Sequence, residues 1–153
     1  MTDAISVDSV GTKRFVLLVT ILAAFLSPFG ISSVNIALPS IEKEFLMDAI
    51  LLSWVTAAYL LTSAMFLVPF GKVADIYGRE RIFTYGVLVF TLASIGSAIS
   101  NSPTMLICFR MLQGIGAAAA YCVGAALLIS VFPSSELGRV LGINLAAVYM
   151  GYI

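Results

Sequence analysis

The apolar positions of this chain fall in five long blocks separated by short polar stretches. Uncharged runs cover residues 15–36, 49–70 and 82–100; a fourth, 105–132, is broken only by Arg110, and a fifth covers 140–153. A helix needs about 20 apolar residues to cross a hydrocarbon layer about 30 Å thick. The first three runs meet that length. The fourth exceeds it, so its helix is expected to tilt or protrude. The fifth gives only about 21 Å of helix at 1.5 Å per residue. The pattern predicts an all-α, polytopic transmembrane helix bundle with four complete spans and part of a fifth, behind a polar amino-terminal tail, residues 1–14. The incomplete fifth run is what a truncated gene product or a fragment of a larger protein would show. The connections, 37–48, 71–81, 101–104 and 133–139, are short. They predict antiparallel sequential neighbours lying side by side and leave no room for an extramembrane catalytic domain.

Composition strengthens this picture. The chain is 61% hydrophobic and 10% charged, against about 25% charged in soluble domains. That much apolar surface must face lipid or other protein, so the bilayer is the first partner. Eight basic and eight acidic residues cancel, which gives no signal for nucleic acid. The chain has no histidine, which excludes a histidine triad or a histidine metal site. Cys108 and Cys122 lie in one helical run, about 21 Å apart by helical rise and beyond disulfide reach. They have no metal-ligand spacing and read as small packing residues. No metal or cofactor is expected.

Charge placement gives orientation. With the amino terminus in the cytoplasm, the inner side holds Lys13, Arg14, Lys72, Arg79, Arg81 and Arg139, and the outer side only Lys43, beside Glu42, Glu44 and Asp48. This is the positive-inside bias of a cell (inner or plasma) membrane protein. Lys13-Arg14 ahead of an apolar stretch also resembles a signal peptide. However, the run continues past Ser27-Pro28 with no Ala-x-Ala cleavage site, so the segment reads as a retained span.

Three places carry polar chemistry. The stretch 71–81, Gly-Lys-Val-Ala-Asp-Ile-Tyr-Gly-Arg-Glu-Arg, holds five charges and two glycines. Gly71 and Gly78 permit tight turning or close approach. Asp75 can accept from Arg79 or Arg81, or oppose a helix dipole; the plainer alternative is a solvated positive loop. Arg110 lies inside the fourth run. A charge in a span costs at least about 2.5–3.5 kcal/mol and usually faces the bundle interior or a wet cavity, although this one is near enough to the run's start to snorkel to the outer headgroups. Gln113, three residues on, shares its face. In the first run Ser27-Pro28, Gly30, Ser32-Ser33, Asn35 and Pro39 predict a kinked or interrupted helix, either a packing kink or a transport-type break.

Small residues also recur at helical spacing. Gly116, Ala120 and Gly124 form one ridge and Gly138, Gly142 and Ala146 another; such ridges let helices approach closely in lipid. Gly114-Ile-Gly116-Ala-Ala-Ala matches a dinucleotide fingerprint in letters alone, since no strand precedes it and it sits within an apolar helix.

At these residues the chain resembles a known family. The stretch 71–81 is similar to the G-x-L-A-D-R-x-G-R-K/R loop between helices two and three of the major facilitator superfamily. Arg110-Met-Leu-Gln113-Gly114-Ile-Gly116-Ala-Ala resembles its helix-four motif. Asn35-Ile-Ala-Leu-Pro39 resembles the end of the first-helix motif of its 14-span drug-efflux branch, the drug:proton antiporter-2 type. Residues 133–142 resemble the loop entering helix five. The resemblance covers residues 15–153 and implies an amino-terminal portion of a transporter that works by alternating access. It implies a gating role for Gly71, Asp75, Gly78, Arg79 and Arg81, cavity positions for Asn35, Arg110 and Gln113, and helix packing through Gly114, Gly116, Ala120, Gly124 and Gly142. Where the efflux branch has an aspartate five residues before its asparagine, this chain has Gly30. None of the five runs contains an acid, and arginine does not titrate in the working range. A coupling proton would need carboxylates elsewhere.

The functional expectation is therefore export of small molecules, multidrug or small-solute, with no covalent chemistry, no catalytic residue and no cofactor. The alternative is a non-transporting membrane fragment, a remnant or a piece that assembles with a complementary transporter fragment. An enzyme is disfavoured, because the spans hold no histidine or acid from which a general acid or base could be built.

Overall fold

The computed structural model describes residues 4–153, with side chains described from residue 11 onward. Its elements are α1 (Ala4–Phe45), α2 (Ala49–Tyr77), α3 (Arg79–Ala98), α4 (Pro103–Val131) and α5 (Ser134–Tyr152). No strand occurs among the described residues. Four helical stretches are long and apolar enough to cross a membrane: Gly11–Phe45, Ala49–Tyr77, Arg79–Ala98 and Pro103–Val131. α5, with Glu136 and Arg139 in its first turns, is not among them.

The helices extend well beyond the apolar runs. The expected tail is helical from Ala4, residues 1–3 lying outside the described part. The expected loop 37–48 shrinks to three residues, because α1 continues through Pro28 and Pro39 to Phe45. The predicted interruption of the first helix is thus absent. A proline forfeits a single backbone donor, and in a span its neighbours re-satisfy the freed carbonyl. Pro28 is buried and serves as a packing surface for α5. The stretch 71–81 is likewise helical on both sides of Gly78.

The turns are chemically specified. Asp48 caps α2 by accepting from the Leu51 amide at 2.8 Å. Ser102 caps α4 by accepting from the Met105 amide at 3.2 Å, with Pro103 in the first turn, where its missing donor costs nothing. Gly78 joins α2 to α3 alone, at φ +100° and ψ 129°, backbone that only glycine adopts without strain.

α4 is the hub of the packing. It runs along α3 and along α2, while α1 lies chiefly against α5 and also meets α4. Short loops therefore do not dictate which helices pack. α1 with α2, and α4 with α5, are joined by brief turns yet meet only slightly, because the surface that admits a neighbour is the small-residue face of α4. Gly116, Ala117, Ala118, Ala119 and Ala120 are all buried there. A Cβ on Gly116 would stand 2.5 Å from the Phe90 amide nitrogen, and one on Gly86 of α3 would stand 2.8 Å from the Ala120 amide nitrogen. These backbones touch, and dispersion between them replaces the hydrophobic drive that lipid removes. Outward, Phe15, Leu18, Leu22, Leu26 and Phe29 on α1 and Tyr85, Leu88, Leu92 and Ile95 on α3 form exposed apolar stripes at helical spacing, suited to lipid or further helices.

Candidate functional site

The fourth span carries a buried cation. Arg110 is 1% exposed, so its side chain does not snorkel to the headgroups. Its Nε donates to the Val55 carbonyl of α2 at 3.1 Å, and its Nη1 donates to Gln113 Oε1 at 2.6 Å. Gln113 Nε2 then donates to Ser94 Oγ of α3 at 2.7 Å, and Ser94 donates to the Phe90 carbonyl at 2.7 Å. Each group passes its proton-bearing side onward, so the chain of bonds runs one way from the guanidinium on α4 to the backbone of α3. The Tyr59 ring lies under the guanidinium, 4.8 Å from Cζ to centroid, a cation–π contact strengthened by desolvation. Tyr59 in turn exchanges a 2.7 Å hydrogen bond with Ser27 of α1. The cation is thereby tied to all three neighbouring helices, yet every acceptor it meets is neutral. Its Nη2 is buried with no hydrogen-bond partner.

Arg110 and Gln113 line a cleft of about 390 Å³ between α1, α3 and α4, with Gly30, Ser33, Ser94 and Ser97 as its other small or polar borders. Asn35 is not part of it. That side chain accepts from Thr56 Oγ1 at 3.2 Å, toward the carboxyl-terminal end of α1 and the amino-terminal end of α2. The three expected cavity positions are therefore two together and one apart.

A second cluster sits at the opposite end. Arg79 pairs with Asp75 at 3.0 Å through Nη2 and at 3.2 Å through Nε, and its Nη1 donates to the Ala126 carbonyl of α4 at 3.1 Å. One side chain thus ties α2, α3 and the carboxyl-terminal part of α4, whose dipole favours a cation. Arg79, not Arg81, is the partner of Asp75; Arg81 is exposed. Gly71 brings α2 against α4, where a Cβ would meet Cys122 Sγ at 3.4 Å. Cys122 is thus a packing residue, whereas Cys108 is exposed on the outside of α4. At the same end Lys13 lies over the Phe132 ring at 5.9 Å, and Lys13, Arg14 and Arg139 border one cleft.

Of the expected packing residues, Gly114 meets α2, where a Cβ would stand 2.5 Å from the Tyr59 carbonyl oxygen. Gly116 and Ala120 meet α3, and Gly124 lies against Phe83, where a Cβ would stand a tight 3.2 Å from the ring's Cε2. Gly142 departs from the expectation, as does Gly138: added Cβ atoms there would meet nothing. α5 docks instead through Gly151, where a Cβ would stand 2.5 Å from the Phe25 carbonyl oxygen of α1 and 2.8 Å from Pro28 Cγ. Spacing alone marks a ridge and does not say which way it faces. The sequence does not single out Tyr59 or Ser94, and it marks Ser27 only as part of a kink beside Pro28. A lone Ser or Tyr in a span is an ordinary residue until its partner on another helix is known.

The major facilitator superfamily model matches residues 20–153. The chain is 33% identical to the riboflavin transporter RibZ of Clostridioides difficile over 139 residues, 91% of this chain and 30% of that protein. It is 37% identical to the multidrug resistance protein Stp of Mycobacterium tuberculosis over 141 residues, 92% of this chain and 26% of that protein. It is also 35% identical to the cephamycin export protein CmcT of Amycolatopsis lactamdurans over 151 residues, 98% of this chain and 31% of that protein. The chain spans less than a third of the length of these relatives. The matched region, the apolar helices and the buried polar chain on the fourth span agree, and the chain belongs to the major facilitator superfamily as a multi-pass membrane protein.

Proposed function

We propose that this chain forms one wall of a transporter that moves small molecules across the cell membrane by alternating access, most in keeping with an efflux permease. The observation that carries the reading is Arg110. A guanidinium held in the bundle interior by three helices is costly in a span and is normally kept for use. The relatives named for multidrug resistance, riboflavin transport and cephamycin export favour a small-molecule cargo. The clasp of Asp75, Arg79 and the Ala126 carbonyl is the natural latch: exposed and ionic, it can open at little cost when α2 and α4 part. Gly78 supplies the turn and Gly71 the close approach that set the latch. The amino terminus lies in the cytoplasm, since Lys13, Arg14, Arg79 and Arg139 gather at one end.

Five helices make one side of a cavity, so transport needs complementary helices in the same or another polypeptide. If protons drive it, the titrating carboxylate lies among those helices, because no acid stands in the apolar runs here. In dye-efflux assays, the complete transporter extrudes ethidium from energised cells and residues 1–153 expressed alone do not. Efflux by the isolated chain, or none by the complete transporter with any of a panel of dyes and antibiotics, overturns the proposal.

A further inference from the structure

We infer that Ser94 of α3 is a positioning residue for Arg110: acting through Gln113, it fixes the side-chain amide with its oxygen toward the guanidinium and so holds the cation in one place. The inference rests on the transport reading, in which Arg110 is the residue kept for use, and adds to it a serine outside every motif-like stretch. The role follows from the protons available. A guanidinium can only donate, so the Gln113 atom 2.6 Å from Arg110 Nη1 is the oxygen. The amide nitrogen then points the other way, to Ser94 Oγ at 2.7 Å, and needs an acceptor there. A hydroxyl has one proton to give and lone pairs with which to receive. Ser94 gives its proton to the Phe90 carbonyl at 2.7 Å, which can only accept, and its lone pairs are left for Gln113. With a cation at one end and a backbone carbonyl at the other, the bonds have a single consistent direction.

Ser94 differs in this from its neighbours. Thr84, Thr91 and Ser97 of α3 make the same backward bond to the carbonyl four residues earlier. Among the described residues of α3, only Ser94 also receives a side-chain bond from another helix. Without that acceptor, the amide nitrogen of Gln113, a residue 5% exposed, loses its partner. The alternative is for the amide to turn over, which sets N–H against N–H at Arg110 Nη1. One outcome orphans a buried donor beside the cation, and the other takes away an acceptor that the cation needs. Arg110 already has one nitrogen without a partner, and an unmet buried polar group carries its full desolvation cost. Every bond of this relay lies within α3 and α4, whose backbones touch, so it is complete in this chain.

The test uses the complete transporter and three substitutions. Ser94→Ala deletes the acceptor. Ser94→Thr keeps it while adding a methyl, and Thr84 and Thr91 show that threonine on this helix makes the same backward bond. Gln113→Glu is nearly equal in size and offers an acceptor oxygen at both positions, so it needs no orienting. Initial ethidium efflux, scaled to the protein in the membrane, falls at least about fivefold in Ser94→Ala, the cost of one orphaned buried donor. It stays within about twofold in Ser94→Thr. In the Gln113→Glu background, Ser94→Ala changes efflux by less than about twofold, because the coupled partner no longer depends on it. Infrared spectra of protein made with guanidino-labelled arginine give a readout that needs no transport. After transfer to deuterium oxide, the slowly exchanging guanidinium band that Arg110→Lys removes is that of Arg110. It shifts in Ser94→Ala, holds in Ser94→Thr, and ignores Ser94→Ala in the Gln113→Glu background, so a loss of efflux in Gln113→Glu leaves the test intact. Ser94→Thr as damaging as Ser94→Ala overturns the inference in favour of packing. An unaffected Ser94→Ala overturns it too, as does a loss undiminished in Gln113→Glu, which means that Ser94 acts without Gln113. A band that responds as expected while the parent protein extrudes no dye sinks the transport reading and leaves the role of Ser94 standing; efflux with an unmoved band does the reverse.

Discussion

Two arginines in this chain solve opposite problems. Arg79 stands at the membrane edge, 38% exposed, and is bonded to a carboxylate and a helix carbonyl. Arg110 stands inside the bundle with neutral acceptors and one orphaned nitrogen. Water and salt screen the first, so its ion pair is weak and easily remade. Nothing screens the second, so each of its bonds counts for more and a missing one is felt. Under the proposed transport reading, the contrast is between an exposed contact able to release and a buried charge that the bundle must hold in place.

Breaking the interior network should have the largest effect. Gln113→Leu removes the acceptor of Arg110 Nη1 and the donor to Ser94, and is expected to destabilise the folded protein by about 1.5–3 kcal/mol. Unfolding in detergent, followed through the single tryptophan, Trp54, measures it; a loss no greater than at Asp75 would erase the distinction. Gly78→Ala comes next. Its backbone angles are strained for any other residue, at about 1–3 kcal/mol, in a place where an added Cβ meets no obstacle, so a neutral result would mean the turn relaxes. The smallest effect belongs to Asp75→Asn, expected below about 1 kcal/mol. The difference from the parent protein should fade as salt is raised, because screening already weakens the pair. A salt-independent loss would show that Arg79 is gripped more like Arg110 than its exposure implies.

Much of the fold was legible because lipid imposes a blunt rule. Uncharged runs of spanning length become helices, and the four spans fall where the runs do. The ends were not legible. Polar residues such as Glu42 and Lys43 continue α1 in the headgroup region and beyond, where helix is tolerated and composition no longer decides. The pairing of helices departs from the expectation for a related reason: the glycine and alanine face of α4, not the brevity of the turns, decides which helices meet. Arg110 with Gln113 could be found from a charge and its i+3 neighbour on one helix. Tyr59 and Ser94 could not, since their significance arises only when α2 and α3 close on α4. Asn35 shared a motif with the site yet sits apart from it, because its angular position on α1 turns it toward Thr56.

The length of α1 has a mechanical consequence. At 42 residues it is about 63 Å long, roughly twice the thickness of the hydrocarbon it crosses. With Gly151 seated on its backbone near Phe25 and Pro28, close to mid-length, it is a lever resting on a fulcrum. A tilt of only about 10° would sweep each tip through about 5 Å, given that rise per residue. Small rearrangements deep in the bilayer would thus be magnified at both aqueous surfaces.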